Sequence, residues 1–229
     1  LSEASIMVSD PFLSTSAWKR LRHWYRLHGR HRLPWRGDRC PWRVLVAETL
    51  LHRTRAVQAA QLYPAIMHDF PSPEAVLARP ERWRELTRSA GLAWRAEMFL
   101  STCKILVETY GARVPEDPAE LVALPGIGHY VTQTVICFGF GKPAVIVDTN
   151  TIRLTARISG KPLLASRHRT RSVHQTVARL GAHGKAPGSA DNFALLDLAA
   201  LICKPGKPQC PVCPIREHCS TGRSCDSTT

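Results

Sequence analysis

Three things are scarce in this chain, and each scarcity narrows what it can be. Acidic residues are few: 18 Asp and Glu face 31 Lys and Arg in 229 residues, for a formal charge of +13. A soluble chain that basic favours a polyanionic partner, because each cation near a phosphate releases condensed counterions. Arg is the commoner cation, and its planar fork suits phosphate and base recognition. Long apolar runs are missing, so no segment spans a bilayer and no membrane partner is expected. The first ten residues, LSEASIMVSD, lack both the basic start and the apolar run of a signal peptide. A cytoplasmic, nucleoid-associated protein is therefore expected. Thiols stay reduced there, so the eight cysteines read as metal ligands or free thiols rather than disulfides. Alternating apolar and polar residues are also scarce, and no internal repeat is found.

What remains is helical punctuation. Ser16 is placed to cap a helix carrying Trp18, Leu21, Trp24 and Tyr25 on one face and stopped by Gly29. Helical patterns follow at about 42–54 and 55–70, and Pro64 should interrupt and restart the second. Pro73, Pro80 and Pro118 suit first helical turns, whereas Gly91 and Gly111 suit helix ends. A further helix is expected from Ser189 to Ile202. Ala144–Val147 has strand character but no evident partner. The fold class is all-α, with roughly ten short helices.

Three motifs carry chemistry. Leu124-Pro125-Gly126-Ile127-Gly128-His129-Tyr130 sits between helical segments and predicts a narrow hairpin. Its amides and the following helix N-terminus can meet one phosphate, with Gly126, Gly128 and His129 at the contact. Asp148 heads the next helix, where it can serve as a cap. It can equally stabilise a cation forming at a sugar C1′, since glycoside cleavage passes through oxocarbenium-like states. Glu48 lies on an otherwise apolar helix; burying a carboxylate there requires a partner or a chemical role, and a second acid or base is the role needed. Cys203, Cys210, Cys213 and Cys219 form C-x6-C-x2-C-x5-C, with prolines at 205, 208, 211 and 214. Such a compact loop fits a four-cysteine zinc site or a [4Fe–4S] cluster, and spacing alone leaves both open. Cys225 is a possible replacement for Cys219. Lys204 and Lys207, inside the first loop, suit a phosphate clamp, while Cys40, Cys103 and Cys137 read as ordinary residues.

Hairpin, aspartate and quartet together resemble the helix-hairpin-helix DNA glycosylases that contain an iron–sulfur cluster, over about Trp18 to Cys219. The resemblance implies a two-domain α-helical fold. A six-helix barrel (37–143) would hold the hairpin at 124–130. Residues 14–36 and 144–219 would form the cluster domain, with 1–13 a flexible lead-in and 220–229 a tail. It favours a [4Fe–4S] cluster on Cys203, Cys210, Cys213 and Cys219, and makes Asp148 the catalytic aspartate. Lyases of the family carry lysine at the position of Tyr130, where its amine forms a Schiff base. Tyrosine cannot form that imine, and the thymine mismatch enzymes resemble this chain in having it. Ala47-Glu48-Thr49-Leu50-Leu51-His52-Arg53-Thr54 is similar to their A-E-x-L-L-R-R-T, with His52 replacing the first arginine. Gly91-Leu92-Ala93 resembles the family's wedge loop.

The expected activity is therefore monofunctional removal of thymine, and of uracil, opposite guanine in double-stranded DNA by a monomer. The target nucleotide must be flipped out of the stack, most cheaply at a mismatch. Arg53 would fill the vacated stack, Leu92 would wedge from the other side, and His52 would contact the estranged base or a phosphate. The extruded base would pack near Tyr130, with Glu48 assisting its departure. Adenine excision from A·G or A·8-oxoguanine pairs is the rival activity. The chain's end soon after the quartet weighs against it, because adenine enzymes commonly carry a further C-terminal domain. A non-catalytic DNA-binding protein or a structural zinc module is the rival from another class, and Glu48 and Asp148 together argue against it.

Overall fold

The computed structural model describes residues 11–225 except 53, 90–92, 165–169 and 182–184. Residues 1–10 of the expected lead-in, Arg53, and Gly91 and Leu92 of the expected wedge lie outside the described residues. Two compact units form, one from residues 31–142 and the other from residues 1–30 and 143–229. Among the described residues the regular structure is entirely helical, and no helix is long and apolar enough to cross a membrane.

Helices are numbered in chain order: α1 (Thr15–His28), α2 (Pro41–Leu51), α3 (Ala56–Asp69), α4 (Pro73–Ala78), α5 (Pro80–Ser89) and α6 (Ala93–Tyr110). There follow α7 (Pro118–Ala123), α8 (His129–Thr134), α9 (Thr149–Ser159), α10 (Arg171–Ala178), α11 (Ser189–Leu201) and α12 (Ser220–Ser224). All three prolines expected in first turns begin helices, where a missing N–H costs nothing.

The middle unit, α2 to α8, is built on an aromatic core. Trp83 stacks on Phe99 at 4.7 Å between centroids, and Phe70 meets Trp83 edge-on at 5.4 Å. Trp42 lies 5.5 Å from Phe99 and donates its indole N–H to the Phe70 carbonyl at 3.1 Å. Such rings bury large apolar area while the one polar edge stays satisfied. Helix α2 packs against α3, α8 and the π-helical turn Val135–Gly139 that continues α8. A Cβ on Gly139 would stand 2.8 Å from the Pro41 backbone, so this close approach requires glycine. Pro64 does not break α3, contrary to the sequence expectation. It stands on the exposed side of the helix, where the carbonyl left without its N–H partner can turn to water.

The other unit packs α1 and α9 to α12 around Trp18, Leu21, Ile152, Leu154, Leu195 and Leu198. Trp24 and Tyr25 lie partly buried against this core, as their helical spacing predicts. The cap of α1 is Ser14, which accepts from the Ala17 N–H at 3.2 Å; Ser16 is already inside the helix. Residues 12 and 13 are not part of a loose lead-in. Leu13 is buried, and Phe12 donates its N–H to the Arg179 carbonyl at 2.8 Å with the Arg179 guanidinium over its ring. Nor does the chain trail off at 220. Residues Ser220–Ser224 form α12 against α9, and the bare Cα of Gly222 lets it approach the Arg216 carbonyl. Asp197, fully buried on α11, accepts from the Arg30 backbone N–H and from its Nε, each at 2.7 Å. This pair ties the end of α1 to α11.

Candidate nucleic-acid interface and active site

The hairpin between α7 and α8 is set by a few apolar anchors. Leu124 and Ile127 are buried, while Gly126, Gly128 and His129 are exposed between and beyond them. The Ile127 N–H closes the turn on the Leu124 carbonyl at 3.1 Å, and the Thr102 hydroxyl donates to the Pro125 carbonyl at 2.7 Å. The two glycines have different reasons to be there. Gly126 sits at φ +75°, and a Cβ on it would meet the Met98 methyl at 3.1 Å. Gly128 has an ordinary φ of −96°, and a Cβ there would touch nothing within 4 Å. Its value lies in leaving the outer surface of the hairpin bare. The amides that open α8 have no intrahelical acceptor, so a phosphate can approach them closely.

Glu48 lies on α2 and is 8% exposed, among Val46, Ala47 and Leu50. Tyr130, half-buried, is in the first turn of α8, the helix against which α2 packs. The two expected site residues therefore come from adjoining helices of one unit. His52 follows the last turn of α2, and its ring stands edge-on to Trp94 with centroids 6.4 Å apart.

Asp148 belongs to the other unit, at the head of α9, and there it is a cap. Its Oδ1 accepts from the Thr151 N–H at 2.7 Å, while its own N–H donates to Thr151 Oγ1 at 2.9 Å. Its Oδ2 accepts from the Asn150 amide at 2.6 Å. A capping box and a side-chain amide thus hold a half-buried carboxylate in one orientation. Capping does not exhaust the group, since each oxygen keeps a lone pair. Asn150 has no role assigned from the sequence, and neither does Arg153. Arg153 donates to Asn150 Oδ1 at 3.1 Å, to the Ala199 carbonyl at 2.9 Å and to the Cys203 carbonyl at 2.9 Å. A continuous line of hydrogen bonds therefore joins Asp148 to the start of the cysteine loop. Only Asn150, two residues from Asp148 on an N-terminal turn, carried a local signal; the others are paired across 46 and 50 residues.

Cys203, Cys210, Cys213 and Cys219 line one largely apolar pocket with Leu154, Ile158 and Ile215. Arg157 grips the loop from α9. It donates to Cys203 Sγ at 3.3 Å, to the Lys204 carbonyl at 2.7 Å and to the Gly206 carbonyl at 2.8 Å. Cys219 Sγ lies 3.2 Å from the Arg157 carbonyl. Burial pushes the Cys213 thiol up to about 12, and nearby thiols add to the effect; Cys210 and Cys219 are also raised, burial first. Four bare thiolates would repel one another here, so a cationic centre would have to compensate them. Among the described residues, no group of three or more His, Cys, Asp or Glu side chains is spaced to hold a metal ion. Cys225 is exposed and hydrogen-bonds Cys210, outside the pocket lining. Lys204 and Lys207 are exposed on the loop. Cys103 and Cys137 are buried in the other unit.

With this geometry in hand, the model of the HhH-GPD superfamily base excision DNA repair proteins matches residues 46–180, the stretch that holds Glu48, the hairpin and Asp148. The chain belongs to that superfamily. Among its relatives is the thymine-DNA glycosylase of Aeropyrum pernix, 34% identical over 204 residues covering 88% of this chain and 92% of that protein. The thymine/uracil-DNA glycosylase of Methanothermobacter thermautotrophicus is 30% identical over 200 residues, 86% and 90% of the two chains. The solved structure of a thermostable thymine-DNA glycosylase matches with a TM-score of 0.79 at 29% identity, covering 91% of this HhH-GPD chain and 95% of that one.

Proposed function

We propose that the protein is a monofunctional mismatch DNA glycosylase of base excision repair that removes thymine, and more easily uracil, opposite guanine. The observation that carries this reading is the likeness to thymine-DNA glycosylases over nearly their whole length. Tyr130 at the head of α8, in place of a lysine, supports the monofunctional part.

The hairpin amides hold one phosphate and fix the protein's register without reading sequence. The target nucleotide leaves the stack and its base packs by Tyr130, with Leu92 and Arg53 holding the gap. Glu48, held in apolar surroundings, assists the leaving base by protonation or by activating water. Asp148, its carboxylate oriented by Thr151 and Asn150, stabilises the cation that develops at C1′. Water then completes hydrolysis to an abasic site. Without an amine at position 130, no imine forms and the backbone stays intact.

Cys203, Cys210, Cys213 and Cys219 would hold a [4Fe–4S] cluster. Their spread around one pocket, without convergence on one ion, suits a multi-atom cluster better than zinc, whose sulfurs all sit about 2.3 Å from one centre. When bound, the cluster supplies four iron–thiolate bonds that brace the loop carrying Lys204 and Lys207 and set a redox potential. Iron and labile sulfide in the purified protein, with broad visible absorbance, are the expected result; a colourless, iron-free preparation overturns the assignment.

The function is tested by single-turnover excision on labelled T·G, U·G, A·G and A·8-oxoguanine duplexes, developed with alkali. Cleavage at thymine and uracil is expected, with none before alkali and no borohydride-trapped adduct. Cleavage of the adenine strand alone would overturn the reading.

A further inference from the structure

Trp94 has no part in the chemistry above, yet it is placed as though for a partner. It is 55% exposed at the start of α6. Exposed apolar residues are common singly, so exposure alone decides nothing. Its neighbours are more telling. The His52 ring meets it edge-on at 86° between planes, and the Arg95 guanidinium stands over it 4.8 Å from the ring centroid. An aromatic pair and a cation thus share one exposed spot at the end of α2, one turn beyond Glu48.

We infer that Trp94, steadied by His52, is a stacking platform for the base left in the duplex after its partner is extruded. This rests on the proposed glycosylase function. The extruded base needs an enclosed site, such as the surroundings of buried Glu48; a half-bare indole meets the base that remains with the duplex. The substitution at His52 fits this division of labour. The mismatch enzymes that the chain resembles have arginine there, whose fork can read a base edge. An imidazole beside an indole offers flat surface instead, and every base has a π face to lay on it. Trp94 therefore contributes affinity for the unpaired base with little preference for its identity.

The test measures binding of the full chain, by fluorescence anisotropy, to duplexes carrying a tetrahydrofuran abasic analogue. In one the analogue faces guanine; in the other it faces a second tetrahydrofuran. Trp94→Ala should weaken the first complex roughly 5- to 150-fold, the range that base–aromatic stacking carries, and leave the second unchanged. Trp94→Phe should stay within about threefold of the wild type on both, since a phenyl ring keeps a stacking face. Replacing the facing guanine by adenine, cytosine or thymine should move wild-type affinity less than Trp94→Ala does. Unchanged binding of Trp94→Ala to the first duplex, or an equal loss on both, overturns the inference. Neither duplex requires excision, so failure of the wild type to release thymine would count against the proposed function and leave this result readable.

Discussion

Asp148 is asked to do two things, and a pair of substitutions separates them. Asp148→Asn keeps an N-cap of equal quality, since an amide oxygen can still accept from the Thr151 N–H now held at 2.7 Å. What it loses is the Asn150 hydrogen bond at 2.6 Å, where two amide nitrogens would face each other, and the favourable charge at the helix N-terminus. Together these cost about 1–2 kcal/mol of stability, or roughly 2–8 °C in Tm for a chain of this size. The chemical loss should be larger. Removing an oriented electrostatic stabiliser of the transition state costs roughly 100- to 1,000-fold in rate. Thr151→Val is the control. It deletes the hydroxyl that accepts from the Asp148 N–H at 2.9 Å, costs about 0.5–2 kcal/mol of stability, and leaves the carboxylate in place. Single-turnover excision and thermal melting on both variants supply the readout. Excision by Asp148→Asn within severalfold of the wild type, or an equal loss in Thr151→Val, would mean that Asp148 is a cap and nothing more.

The hairpin glycines should part company. Gly126→Ala forces a left-handed residue against Met98 and should cost about 1–2 kcal/mol in melting experiments. Gly128→Ala should melt like the wild type yet bind duplex DNA more weakly, because its methyl fills space that a phosphate needs. Asp197→Ala leaves Arg30 without its buried counter-charge and should lower stability by about 2–4 kcal/mol in denaturant titrations, with Arg30→Ala adding little on top. Burial, with Asp38 adding to it, pushes Tyr63 from 10.0 up to about 12 despite the opposing Arg43 charge. The unfolded phenol thus ionises first, so Tyr63 favours folding below pH 10 and that contribution drains away between pH 10 and 12. Tyr63→Phe should flatten this part of the stability profile.

Much of the candidate site is legible locally because its devices are local. A proline at a first helical turn, glycine pairs in a hairpin and an aspartate heading a helix each act within four residues. The cysteine spacing anticipated one shared pocket for the same reason. The failures share a different cause. Pro64 does not break α3 because the helix is held along its length by packing, and no window around Pro64 reports which side faces water. Ser14 rather than Ser16 caps α1, since the choice depends on where Leu13 is anchored in the core. The Arg153 and Arg157 clamps pair with backbone carbonyls dozens of residues away, and a carbonyl has no side-chain signature in sequence. Trp94 beside His52 is likewise invisible until α2 and α6 are folded.

The central claim is that this chain hydrolyses the glycosidic bond of thymine opposite guanine. Mass-spectrometric identification of the free base released from a duplex carrying separate T·G and A·G mismatches tests it most directly. The expected product is thymine, in step with abasic sites on the same strand and without strand scission. Release of adenine alone, or of no base, would contradict it.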